Sequence, residues 1–381
     1  MLPAWLEQLS GAMPALVPGA PIVWREVCPE SRPVLLAPWL LHQSSPVLVL
    51  TPSLERAEQW LAVLLRLGVP ESRLLRVPSA LTPLLEPTGV EQETLHERIR
   101  ALSALHRGDA VCLIAPIAAA LQRTMPEATF EAELVRLRVP DAPPPDDHEW
   151  LFHIEPQVLL HRITEDGYEY QEPVRIPGQF ARRGGIVDVF PMGAELPVRI
   201  EFWGDEITSL RLFEPASQRS IRQVSTVAIP PAREVPMGNE AMAARIRTEW
   251  EQMIAAQPPH LQPELRQRLE DDLRPLMQGA PFDRLELYLP WLLNERACLL
   301  DYLPKSGWLV LDEPLVLSTA YERLLEDVAQ SLASRAERGD IPPLRAEDYI
   351  EPFERVEKHT STLLLGDPIF SGGRLYQLQL R

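Results

Sequence analysis

Hydrophobic positions change their period along this chain, and the changes divide it. PVLVLTP (Pro46–Pro52) is apolar without a polar break and rich in β-branched residues, the pattern of a strand buried on both faces. In the next segment, SLERAEQWLAVLLRLG, Ser53 is placed to N-cap a helix whose apolar stripe is Leu54, Ala57, Leu61, Leu64 and Leu65. SRLLRVPS predicts a second short strand, and EQETLHERIRALSALHRGD a helix closed at Gly108. AVCLIAP predicts another buried strand leading into IAAALQR. Strand, helix, strand, helix at this spacing predicts a parallel α/β sheet.

Near Ala128 the period drops to two. From ATFEAELVRLRVPD to VSTVAIPPARE the chain reads as short alternating strands, broken by the loop DAPPPDDHE and a short helix around EPQVLLHRI. A small α+β module of about 100 residues, inserted into the α/β domain, is expected. After Pro231 helical spacing returns in NEAMAARIRTEWEQMIA, LQPELRQRLEDDLRPLM and RLELYLPWLL. GWLVLDEP then adds a buried strand, and PLVLSTAYERLLEDVAQSLASRAERGD a long helix. The expected organisation is residues 1–127 as the first part of the α/β domain and 128–230 as the inserted module. Residues 231–381 form a helical subdomain and the return to the α/β domain. MLPAWLEQLSGAMPAL reads as an amphipathic helix without the basic start of a signal peptide. No run approaches the ~18 apolar residues of a membrane span, so a cytoplasmic protein is expected.

Composition and charge then exclude chemistry. With 54 acidic against 37 basic residues the net charge is −17, which repels phosphate backbones. The arginines are interleaved with acids, as in RLEDDLR, and mark solvated helix faces; DNA binding by this chain alone is not expected. A phosphate loop of the form GxxxxGK[ST] needs glycines to wrap the phosphates and a lysine to reach them. The two lysines, Lys305 and Lys358, fit no such loop, and VCPESRPVLLAP stands where one would precede the first helix. LVLDEP has the form of an acidic strand end that organises Mg²⁺ beside a phosphate loop. Without the loop, Asp312 and Glu313 are expected to cap the following helix near its positive N-terminal end, as a relic. Cys28, Cys112 and Cys298 lack ligand spacing, His153 and His161 share no metal-binding face, and Ser371 in FSGGR has no base nominated beside it. No metal, cofactor or catalytic residue is expected.

One stretch points outward. In VRIEFWGDE, Val198, Ile200 and Phe202 alternate onto the core face, while Arg199, Glu201 and Trp203 take the other. Gly184 and Gly185 leave a neighbouring strand start bare, so that a partner can approach, and Arg183 sits at the rim. Arginine and tryptophan dominate protein interfaces by contact area and directional hydrogen bonding. An exposed Arg199 is expected to tolerate reversal to glutamate without loss of fold.

GQFARRGGIVDVFPMGAELPVRIEFWGDEITSLRLFEPASQRS resembles the UvrA-contacting module shared by UvrB and the bacterial transcription-repair coupling factor (Mfd) family. LLDYLPKSGWLVLDEP and ALTPLLEPTGVEQETLHERIRALSALHRGDAVCLIAPIAAALQR resemble the N-terminal, UvrB-like region of the coupling factors. UvrB itself would carry a working phosphate loop and an aromatic-rich DNA-gripping hairpin, and residues 80–93 contain no aromatic. The resemblance implies a degenerate P-loop-NTPase-like parallel sheet with an inserted UvrA-binding α+β domain and a helical extension. It implies UvrA contact through Arg183, Arg199 and Trp203, with Glu201, Phe180 and Asp205 around them. Trp203 stands where phenylalanine is usual, and Tyr170 where many relatives carry arginine. Family members continue into regions that bind RNA polymerase and double-stranded DNA and use ATP and Mg²⁺. The expectation is a non-catalytic monomeric module that recruits UvrA in nucleotide excision repair and, at full length, helps restrain the translocase. The alternatives are a UvrB-like protein that binds damaged DNA directly, and a cryptic metal-dependent ATPase or nuclease at Asp312 and Glu313.

Overall fold

Seven parallel strands carry the first of two units in the computed structural model. The structure describes residues 22–25, 27–86, 88–359, 361–366 and 374–377; the amphipathic helix expected at the N-terminus and Ser371 lie outside them. One unit gathers segments 1–87, 101–124 and 296–381, and the other gathers 88–100 and 125–295.

Strands are numbered in chain order. In the first unit the sheet order is β15 (Arg374–Gln377), β1 (Ile22–Arg25), β14 (Thr362–Leu365), β13 (Trp308–Asp312), β2 (Val47–Thr51), β4 (Cys112–Pro116) and β3 (Leu74–Arg76). Every neighbouring pair is parallel. β2, β4 and β13 are buried at every position, which is why their sequences run apolar without alternation. The helices Arg32–Leu41 and Leu54–Arg66 pack Leu36, Leu40, Ala57 and Trp60 against Val47, Val49 and Val310. Ser53 caps the second of these helices, its hydroxyl accepting from the Arg56 N–H at 3.2 Å. That helix buries Ala57, Trp60 and Leu64, while Leu54 and Leu65 of the predicted stripe are exposed. More apolar residues lie around the helix than one face can hold, and Trp60 takes the centre.

The second unit holds a six-stranded sheet in the order β11 (Ser220–Val224), β10 (Glu206–Phe213), β9 (Val198–Trp203), β8 (Ile186–Val189), β7 (Gln179–Arg183), β6 (Glu169–Tyr170). Its pairs are antiparallel except β6 with β7. A separate antiparallel pair joins β5 (Val135–Arg138) to β12 (Thr226–Ile229). Helices Pro156–Glu165, Glu240–Ala255 and Gln262–Met277 belong to this unit, and Asn239 caps the second through the Met242 N–H. Two expectations are corrected here. ATFEAE, read as the start of a strand, lies in the helix Glu127–Glu133; Pro126 fixes φ near the helical value, and a segment with one large apolar residue, Phe130, fits either period. RLELYLPWLL is a 3₁₀ turn, Leu285–Tyr288, and a single turn, Leu289–Leu292, because Pro290 has no N–H to continue a helix through it. Among the described residues, no helix is long and apolar enough to cross a membrane.

This unit also holds two carboxyl groups that titrate far from their usual range. Glu133 and Asp166 line a cavity of about 360 Å³ with Arg162, Glu165, Arg233 and Met237. Burial pushes Glu133 up to about 7 against the pull of Arg162. Burial, and next the charge of Glu133, pushes Asp166 up to about 7, and among the described residues its buried Oδ2 has no hydrogen-bond partner. A carboxyl group raised above its unfolded value binds its proton more tightly when folded. Its stabilisation is full below pH ~4 and is lost as the pH rises toward 7. The double variant Glu133→Gln/Asp166→Asn is therefore expected to gain on the order of 2 kcal/mol over the unsubstituted chain at pH 8 and little at pH 4.5. Urea midpoints at the two pH values check this, and an equal gain at both would contradict it.

Candidate partner-binding surface

β9 reads VRIEFW, and its burial alternates as far as Glu201: Val198 and Ile200 are fully buried and Arg199 and Glu201 partly exposed, whereas Phe202, expected in the core, is only partly buried at the strand end and Trp203 is 83% exposed. Strand pairing sets its neighbours. Arg199 lies opposite Asp188 on β8 and Arg211 on β10, and Glu201 lies opposite Ile186, which faces Arg183 on β7. Residues in register across a sheet share a face, so these side chains form one surface with Trp203 at its end. The two turns at that end use left-handed glycines, Gly184 at φ +60° and Gly204 at φ +67°. A Cβ on Gly185 would come 3.1 Å from the Phe202 carbonyl oxygen, and the Phe202 N–H donates to the Gly185 carbonyl at 2.8 Å. Gly185 thus also serves the close internal approach of β9.

Both arginines expected at the partner surface are paired within the molecule. Arg199 donates from Nε and Nη2 to the Asp188 carboxylate at 2.7 and 2.8 Å and from Nη1 to the Gln218 carbonyl at 3.3 Å, and its guanidinium lies 4.7 Å from the centre of the Phe213 ring. Asp188 is buried, and its hydrogen bond holds the Arg199 guanidinium above even its usual range. Arg199 therefore holds the sheet face together and is not an exposed strand charge. Arg183 Nε meets Glu172 Oε1 at 2.7 Å, with both side chains about half exposed, and the Tyr170 hydroxyl donates to Glu172 Oε2 at 3.0 Å. Glu201 pairs with Arg211 at 3.3 Å. Phe180 is buried, with the Tyr170 ring edge-on at 5.8 Å; strand alternation sends it to the covered side, so it is no surface residue. Asp205 is exposed in the β9–β10 turn, 3.8 Å from His153 Nδ1.

Three residues of this surface escaped sequence reasoning: Asp188, Glu172 and Arg211. Alternation in IVDV already turns Asp188 away from the core, since Val187 and Val189 point inward. Its place opposite Arg199 depends on register, which no local pattern shows.

The acidic end of β13 belongs to the first unit and is filled from within. Asp312, fully buried, accepts from Arg32 Nη1 at 2.5 Å, Arg56 Nε at 2.6 Å and Trp60 Nε1 at 2.7 Å. Arg32 Nη2 reaches Glu313 Oε1 at 2.6 Å and the Val27 carbonyl at 3.2 Å, and Arg56 Nη2 donates to the Pro29 carbonyl at 2.6 Å. Glu313 stands at the N-cap of the helix Pro314–Glu337 in a left-handed conformation, φ +62°, and among the described residues its side chain makes no capping bond. The capping expectation is corrected: charge-assisted bonds to guanidinium groups in a low-dielectric setting outcompete an exposed helix end. Arg32 comes from VCPESRPVLLAP, the string that occupies the place of a phosphate loop. Among the described residues, no three metal-ligating side chains converge.

Residues 152–235 match the family model of the UvrB interaction domain. The chain is 29% identical to the transcription-repair-coupling factor of Bacillus subtilis over 317 residues, covering 82% of this chain and 26% of that protein. It is 31% identical to that of Mycobacterium tuberculosis over 298 residues, covering 76% of the chain and 22% of the relative. The Escherichia coli factor is 26% identical over 255 residues, 67% of the chain and 20% of the relative. The chain thus spans a fifth to about a quarter of the length of these curated relatives.

Proposed function

We propose, for a chain similar over most of its length to transcription-repair-coupling factors and carrying a UvrB interaction domain, that it is the N-terminal UvrB-like region of such a factor and recruits UvrA in nucleotide excision repair. The observation that carries this reading is Trp203, 83% exposed at the end of the sheet inside the matched segment. Sealing ~150–250 Å² of an aromatic side chain against a partner supplies roughly 4–6 kcal/mol before ordering costs. Glu201 and Asp205 lie beside it along the chain, and Arg183 and Arg211 add polar groups to the same face. Arg199 serves the surface by holding β8, β9 and the Gln218 turn in place. The region acts as a non-catalytic monomer, in keeping with an acidic strand end whose carboxylates already hold Arg32 and Arg56. At full length it helps restrain the ATP-dependent translocase, and RNA polymerase, double-stranded DNA, ATP and Mg²⁺ are engaged by other regions of the factor.

Calorimetric titration with purified UvrA tests the reading. Trp203→Ala is expected to weaken binding at least 30-fold, ~2 kcal/mol or more. The thermal midpoint should not move, because so exposed a side chain contributes little to the fold. Unchanged affinity in a folded variant would sink the proposed surface.

A further inference from the structure

We propose that Glu172 is an internal placeholder for a partner's carboxylate, so that Arg183 is released only when an acidic protein surface displaces it. The proposal rests on the reading of this face as the UvrA-binding surface and adds the chemistry of what must arrive there. Two arginines of the face, Arg199 and Arg183, are held very differently. Arg199 grips a buried carboxylate in bidentate fashion and also spends a hydrogen bond on a backbone carbonyl, an arrangement that an incoming group cannot exchange without unpairing Asp188. Arg183 holds Glu172 through a single short contact, with 48% and 42% of the two side chains exposed. An exposed pair of this kind is marginal and readily exchanged.

Glu172 lies just beyond β6, where the Tyr170 hydroxyl holds its second oxygen and the exposed Tyr170 ring stands against Phe180. Tyr170 therefore steers the placeholder toward Arg183. Arg183 and Trp203 both flank turns at one end of the sheet, since Ile186 pairs with Arg183 on one side and Glu201 on the other. A partner that seats the indole in an apolar socket is thus expected to offer a carboxylate to Arg183, the chemistry that Glu172 already supplies. Until it is displaced, Glu172 neutralises Arg183 and repels that carboxylate.

The test is UvrA binding to the full chain, with association rates and affinities measured for Glu172→Gln, Tyr170→Phe, Arg183→Ala and Glu172→Gln/Arg183→Ala at low and moderate salt. Glu172→Gln is expected to bind about two- to fivefold more tightly, mainly through faster association and with the gain shrinking as salt rises. Tyr170→Phe should give a smaller gain in the same direction, and the gain should vanish in the double variant. Tight binding by the unsubstituted chain with no gain in Glu172→Gln, or a gain that persists without Arg183, would overturn the placeholder and leave the surface standing. Absence of UvrA binding by every variant would remove the surface itself, and the placeholder with it.

Discussion

Asp312→Ala is expected to destabilise the seven-stranded unit by about 3–5 kcal/mol, the cost of removing one partner from a buried ionic group. Asp312 is fully buried and receives Arg32, Arg56 and the Trp60 indole N–H. Its loss leaves the Arg32 guanidinium, 3% exposed, with Glu313 as its remaining carboxylate. The Trp60 N–H, in the core, loses its acceptor, and an unsatisfied buried donor costs ~1–3 kcal/mol by itself. Glu313→Gln should cost far less, since that carboxylate is partly solvated and keeps an acceptor oxygen for Arg32. Urea denaturation of the three proteins, followed by tryptophan fluorescence, gives the comparison. A loss below ~1 kcal/mol for Asp312→Ala would show that the cluster is not what ties β13 to the two helices that carry its arginines.

Arg199→Glu is expected to cost about 3–5 kcal/mol in the six-stranded unit, contrary to the expectation that a strand-face charge can be reversed freely. The new carboxylate would stand opposite Asp188, itself buried, and the contacts to Phe213 and the Gln218 carbonyl would be lost. Arg199→Met/Asp188→Asn should recover much of the loss, because both members of the pair are then neutral and neither charge is stranded. Circular dichroism melts measured beside UvrA affinity separate the effects. Arg199→Glu should lose binding together with stability, whereas Trp203→Ala should lose binding alone. A melt of Arg199→Glu that overlays the unsubstituted chain would refute the structural role assigned to this arginine.

Much of the architecture was legible from period alone. Unbroken apolar runs located β2, β4 and β13, and the strict alternation of VRIEFW turned Trp203 away from the core before any strand partner was known. The helix start capped by Ser53 was equally local. Short segments with few apolar residues, such as ATFEAE, were not decided by pattern, because both periods fit and tertiary burial of Phe130 chose between them.

The chain's own sequence determined which positions are apolar, where each period begins and ends, and that no glycine-rich phosphate loop precedes the first helix. Only tertiary structure decided which carboxylate each arginine holds: Asp312 for Arg32, 280 residues away, Asp188 for Arg199 and Glu172 for Arg183. The physical reason is range. Burial periodicity is a property of neighbouring residues, whereas an ion pair depends on register, strand order and the desolvation of both partners, which exist only once distant segments have met.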